Sequence, residues 1–177
     1  MRKWFDDGPI PIPITVRPLT ATDSIEDLTD LIHAAYQRLG DMGLNYTAVD
    51  QDADITLKRI ERGECLLAEI DSTVIGTVTW YPPQTFDSCP WYRRTDVAVF
   101  GQLAVRPEGQ GRGVGSALIS GAELRALERG AAEIALDTAE SAGHLIDYYG
   151  RRGFRAVETV QSKGKTYRSV IMSKRLY

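Results

Sequence analysis

The chain has 177 residues, of which 43% are hydrophobic and 25% charged, with only two cysteines. That balance fits one domain with a single substantial core and leaves no basis for a disulfide framework or a disordered chain. No apolar stretch approaches the roughly 20 residues a membrane helix needs, and a formal net charge of -3 gives no global pull toward nucleic acid.

Met1 to Pro13 is Pro-rich and aperiodic and reads as a tail or arm. Its basic start has no apolar run behind it, so no signal peptide is expected and the cytoplasm is the expected location. Residues 14–177 then form the single expected domain. Ile14 to Arg17 alternates like a short strand, and Asp23 with Glu26 resembles a capping box. Ile25, Leu28, Leu31, Ile32, Ala35, Tyr36 and Leu39 keep helical spacing. A second helix is expected over Asp52 to Arg62, with Gly63 as its stop signal.

Glu64 to Ile70 and Thr73 to Trp80 read as a hairpin turning at Asp71-Ser72. Cys65, inside that apolar run, reads as a core residue, while Cys89 lies in a loop from Tyr81 to Asp96 that is long enough to suggest function. A strand from Val97 to Val105 follows, then Gly109-Gln-Gly-Arg-Gly-Val-Gly115 and an apolar helix closed by Gly130. A short strand at Ala132 to Leu136, a helix at Ser141 to Arg152 closed by Gly153, and strands at Phe154 to Thr159 and Tyr167 to Met172 complete the chain. Lys163-Gly164-Lys165 reads as the turn between those last two strands.

A strand, a Gly-rich turn and a helix in succession aim a helix N-terminus at an anion. Gly111, Gly113 and Gly115 let backbone N–H groups approach closely, and Arg112 with Arg106 offers full charges. A P-loop fails because Ser116-Ala117 stands where Lys-Ser/Thr is needed. A dinucleotide fingerprint fits poorly, since the spacing is G-x-G-x-G and the preceding strands read as antiparallel hairpins. A purely structural helix entry, with small residues for close packing, is the plain alternative.

Gln110-Gly-Arg-Gly113-Val-Gly115 resembles the Gln/Arg-x-x-Gly-x-Gly/Ala signature of the GNAT family of N-acetyltransferases, and Tyr149-Gly-Arg-Arg-Gly153-Phe154 is similar to that family's second signature. The resemblance covers about residues 14 to 173 and includes the order of elements. It implies an α/β (α+β) fold: a mixed, mostly antiparallel sheet of about seven strands with about four helices, splayed between the fourth and fifth strands. It also implies acetyl transfer from acetyl-CoA, the acyl-donor substrate, to the amine of a small molecule or peptide, with no metal, nucleic acid or membrane involved. Whether the chain forms a homodimer is left open.

On that resemblance, Gln110, Gly111, Arg112, Gly113, Val114, Gly115 and Ser116 hold the diphosphate, and Leu103, Ala104 and Val105 lie along the pantetheine arm. An N–H near Leu103 faces the thioester oxygen. Tyr149, picked over Tyr148 by its spacing to Gly153-Phe154, is the expected acid for the departing thiolate. A lysine-like amine costs about 4–5 kcal/mol to deprotonate at neutral pH, so a base or desolvation is needed. Some family members carry Glu on the fourth strand, where this chain has Gln102; Asp137, Glu69 and His144 are the substitutes considered. Ala142 stands where the family often has Asn, leaving Ser141 as a pantetheine contact or, more plainly, a helix cap.

Tyr36, Asn45, Tyr46, Tyr81, Phe86, Trp91 and Tyr92 are expected to wall an acceptor cleft, or else to pack the long loop or form a dimer surface. Arg93-Arg94 reads as solvated. An acyl-CoA sensor without turnover and a nucleotide-binding oxidoreductase are the alternative functions.

Overall fold

The computed structural model describes residues 12–177; the expected tail lies almost wholly outside them. Seven strands form one sheet in the order β1-β2-β3-β4-β5-β7-β6. They are β1 (Thr15–Pro18), β2 (Glu64–Ile70), β3 (Thr73–Tyr81), β4 (Val97–Val105), β5 (Glu133–Ala139), β6 (Arg155–Val160) and β7 (Ser169–Arg175). Among the described residues five helices flank them, α1 (Ile25–Asp41), α2 (Thr47–Asp50), α3 (Ala53–Ile60), α4 (Val114–Glu128) and α5 (Gly143–Gly150). The extra helix comes from a single turn at Thr47–Asp50 ahead of α3, whose N-cap is Asp52. Among the described residues no helix is long and apolar enough to cross a membrane.

All neighbouring strands run antiparallel except β4 and β5. That parallel pair holds register only from Val97–Val99 to Glu133–Ala135, after which the strands part. The sheet is therefore splayed where expected. Alternating side chains send Ala98, Phe100, Ile134 and Leu136 to the face covered by α4 and α5. Val97, Val99 and Ala135 go to the opposite face, under the loop between β3 and β4.

A bulge breaks that alternation in β4. Thr79 pairs with Gly101 and Thr77 with Ala104, so β4 carries one residue more than β3 between those pairs. Gln102 takes up the extra residue with φ at 51°, in the left-handed region. Beyond it the face reverses: Leu103 and Val105 join the α4 side, while Ala104 packs against α1 and β2.

Local chemistry corrects several sequence expectations. The Asp71-Ser72 turn does form, with both residues at positive φ as a two-residue hairpin requires. The cap of α1, however, is Ser24, whose hydroxyl accepts from the Asp27 N–H at 3.1 Å. Asp23 instead takes both ends of the Arg17 guanidinium at 2.8 and 2.9 Å. Arg17 also binds Glu69 at 2.9 Å, so that carboxylate is tied to β1. Helix α5 starts at Gly143, capped by Ala142 with no side-chain bond, so Ser141 is not its cap. Arg94 is paired with Asp96 and Glu133 rather than merely solvated. Cys65 and Cys89 are both buried, free thiols. The β6–β7 connection runs longer than a tight turn, with Gly164 at φ 81° inside it.

Hydrogen bonds from Arg17 hold the Asp23 carboxyl well below the usual 3.8. A depressed folded value contributes stability above the unfolded pKa and loses it as pH falls toward the folded one. Urea titrations should show wild type losing stability below about pH 4 more steeply than Asp23→Asn. Ser24→Ala should cost about 1 kcal/mol with little pH dependence.

Candidate active site

The parting of β4 and β5 opens a cavity of about 600 Å³ that passes through the sheet. On one side it is bounded by Tyr36, Leu39 and Tyr46 from the α1 region, on the other by the start of α4 and by Leu145, Tyr148 and Tyr149 of α5. Leu103 and Val105 line it because the Gln102 bulge turned them to that face. Ala104 does not line it, since its side chain points to the other layer.

At one end the cavity reaches the Gly-rich turn, where Gln110, Gly111, Gly113, Val114, Gly115 and Ser116 all line it. Gly111 and Gly113 sit at φ 74° and 85°, a conformation other residues adopt only with strain. Gly113 is the N-cap of α4, and the first helical bond is Ala117 N–H to its carbonyl. The N–H groups of Val114, Gly115 and Ser116 therefore have no partner within the helix, and no acidic side chain stands in its first turn. Such a terminus suits an anion. Arg112 is exposed and does not line the cavity. The Gln110 side chain donates to the Val105 carbonyl at 3.1 Å and closes the end of β4.

The two tyrosines of α5 separate cleanly. A Cβ on Gly115 would lie 2.8 Å from the Tyr148 hydroxyl, so Tyr148 rests on the Gly-rich turn and Gly115 makes room for it. Tyr149 is 8% exposed and lies edge-on to Phe100 and Phe154. Burial, with the neighbouring Tyr36 hydroxyl next, pushes its phenol well above the ordinary range, so it stays protonated. His144 lines the same cavity near its exposed rim.

A second cavity of about 190 Å³ lies under the loop between β3 and β4. Tyr81, Phe86 and Tyr92 form its aromatic wall, with Arg59 of α3 and Arg62 beside them. Trp91 is absent from this wall. It packs against Arg94 and Arg155, with its backbone N–H bonded to Glu158. Asn45 lines neither cavity; it clasps the β6–β7 connection through Gly164 and Thr166, both at 2.8 Å. Tyr46 stacks on Tyr167 next to that connection.

Asp137, on the stretch of β5 beyond its pairing with β4, lines both cavities. Water reaches it through them, yet enclosure by protein pushes its carboxyl up, against the opposing effects of the Tyr92 hydroxyl at 3.3 Å and the nearby Arg59 and Lys165. It is the one carboxylate at the junction among the described residues lining either space. Sequence spacing alone could not choose it over Glu69 or His144. Arg59 gave no sequence signal at all, being one of several basic residues on an amphipathic helix.

A protein-family profile described as the Acetyltransferase (GNAT) family matches residues 25–154. The chain belongs to the GNAT family. An S-(2-succino)cysteine N-acetyltransferase of Bacillus subtilis (strain 168) is 30% identical over 154 residues, covering 85% of this chain and 90% of that one. A second relative, an S-alkylcysteine N-acetyltransferase of the same organism, is 25% identical over 146 residues and covers 77% and 76% of the two chains. A GNAT family acetyltransferase from Elizabethkingia anophelis, solved with acetyl-CoA bound, shares the fold at a TM-score of 0.65 and 20% identity, covering 92% and 97%.

For a GNAT chain, the through-sheet cavity with a bare helix N-terminus at its mouth fits a thioester carrier whose long arm is joined to a diphosphate. Gly113→Asp would set a carboxylate at that terminus. Calorimetry should show CoA affinity falling by about 100-fold or more while the fold persists; unchanged affinity would mean the turn is structural only.

Proposed function

We propose that this N-acetyltransferase acetylates the α-amine of a small amino acid of the S-substituted cysteine type, using acetyl-CoA. The observation that carries the reading is the small aromatic cavity meeting the larger one at Asp137. A chamber of about 190 Å³ suits a compact amine, whereas a protein chain end would need an open groove. The two cysteine-derivative acetyltransferases among its relatives support the same class.

In this reading the N–H groups at the start of α4 bind the diphosphate, and β4 orients the pantetheine arm along Leu103 and Val105. The Leu103 N–H stabilises charge developing on the thioester oxygen. Asp137 attracts the acceptor's ammonium, then takes its proton so that the free amine can attack the acetyl carbon. A carboxyl raised by enclosure lies closer in pKa to the amine and is the better acceptor. The C–N bond forms, the C–S bond breaks, and the Tyr149 hydroxyl donates a proton to the leaving thiolate.

Tyr149→Phe should lower kcat by about 100-fold or more, with CoA affinity changed less than about 3-fold. Equal loss of affinity and stability would make Tyr149 a packing residue. Asp137→Asn should lower kcat about 100–10,000-fold and remove the fall of kcat/KM at acidic pH. In wild type that fall should sit above the ordinary aspartate value, because the free acid cannot take the proton and its pKa is raised. An Asn variant with unchanged rate and pH profile would exclude Asp137 as the base. A panel of thioether amino acids, amino acid amides and N-terminal peptides, assayed by thiol release, tests the acceptor class; turnover confined to peptides would overturn it.

A further inference from the structure

The acceptor cavity holds two arginines that do very different things. Arg62 reaches across to the β3–β4 loop, donating to the Thr85 carbonyl, with its guanidinium 4.6 Å over the Phe86 ring. It is a strut for that wall. Arg59 makes one hydrogen bond among the described residues, from Nη1 to Gln51 Oε1 at 2.6 Å. A guanidinium carries five N–H donors. Arg17, Arg94, Arg125 and Arg155 all pair with carboxylates, whereas Arg59 has none within ion-pair distance among the described residues.

The single bond that Arg59 makes is also unusually well anchored. Gln51 is 2% exposed, and its Nε2 donates to Thr56 Oγ1 at 2.7 Å and to Gln102 Oε1 at 2.8 Å. Thr29 closes the network with a bond to Thr56 at 2.8 Å. Because Arg59 needs an acceptor, Gln51 must present Oε1 to it and Nε2 to Gln102. The bulge residue of β4 thus fixes an arginine on α3 through one amide.

A cation tethered in a concave, partly desolvated wall, with no carboxylate within ion-pair distance among the described residues, is a receptor for an anion. Its position matters, because Asp137 lines the same cavity. One fixed positive group and one fixed negative group in a chamber of about 190 Å³ match the two ends of an α-amino acid zwitterion.

We propose that Arg59 binds the α-carboxylate of the acceptor, held in place by the Gln51–Gln102 relay from the β4 bulge. The inference rests on the amine-acceptor reading above and adds the requirement that the acceptor be a free acid. Gln102 is then a positioning residue that couples the strand serving the donor to the arginine serving the acceptor.

The test compares an S-alkylcysteine with its primary amide, which keeps the amine and thioether and loses the negative charge. Wild type should prefer the acid by about 100-fold in kcat/KM. Arg59→Met should lose that factor on the acid, change the amide less than about 3-fold, and bring the preference close to unity. Arg59→Lys should recover part of it. Gln51→Leu should raise KM for the acid by about 10-fold, with kcat and the amide little changed, and Gln102→Leu should raise KM for the acid more than for the amide. A second readout needs no turnover: the des-amino analogue, a 3-(alkylthio)propionate, should bind the wild-type protein with CoA and bind Arg59→Met about 100-fold more weakly in calorimetry.

Equal losses on acid and amide in Arg59→Met would make Arg59 structural, and wild-type indifference between acid and amide would overturn the assignment outright. Absence of acetylation with every amine would instead overturn the acceptor reading itself, and the des-amino binding arm would still judge Arg59.

Discussion

The parting of β4 from β5 after three paired residues governs this molecule. A sheet interior without its ladder leaves backbone N–H and C=O groups that must find other partners, because a buried orphan costs free energy comparable to a lost hydrogen bond. Part of that demand is met within the chain. The Tyr46 hydroxyl accepts from the Ala139 N–H at 2.7 Å, and the Gln110 side chain donates to the Val105 carbonyl. The remainder of the gap is cavity, open through the sheet and lined by residues from both layers. A fold that keeps such a gap is prepared for an extended guest that can act as a surrogate strand.

The Gln102 bulge does two jobs in that setting. By inserting one residue it turns Leu103 and Val105 toward the gap, and by adopting positive φ it points its own amide into the α1–α3 layer. Without it the strand would show Ala104 to the cavity and a polar amide to the core under α4. Among the described residues, Thr79 Oγ1 and Gln102 Nε2 have no hydrogen-bond partner in this buried region. Opposite the bulge, the stretch of β5 that has left β4 carries Asp137, where the two cavities meet.

Much of this was legible in the sequence. Periodicity located every strand and the long helices, because apolar alternation and helical spacing report burial directly. The two glycine-containing signatures were readable because each depends on backbone geometry at fixed offsets: positive φ at Gly111, Gly113 and Gly153. Long-range partnership was not legible. Asp23 looked like a cap and proved to be Arg17's partner, since Ser24 beside it fits the same pattern. The bulge was not predicted, although Gly101-Gln102 interrupts the apolar residues of that strand. Arg59 and Asp137 lie 78 positions apart by numbering, and only the fold reveals that they share a chamber.

The central claim is that donor and acceptor approach from opposite sides of one gap and meet at Asp137. A crystal structure with a covalent conjugate, the CoA sulfur joined through an acetyl bridge to the nitrogen of an S-alkylcysteine, tests it most directly. The pantetheine arm should lie between β4 and β5, with the diphosphate on the N-terminus of α4 and the amino acid under the β3–β4 loop. A conjugate lying wholly on one side of a sheet whose β4 and β5 have closed on each other would contradict the account.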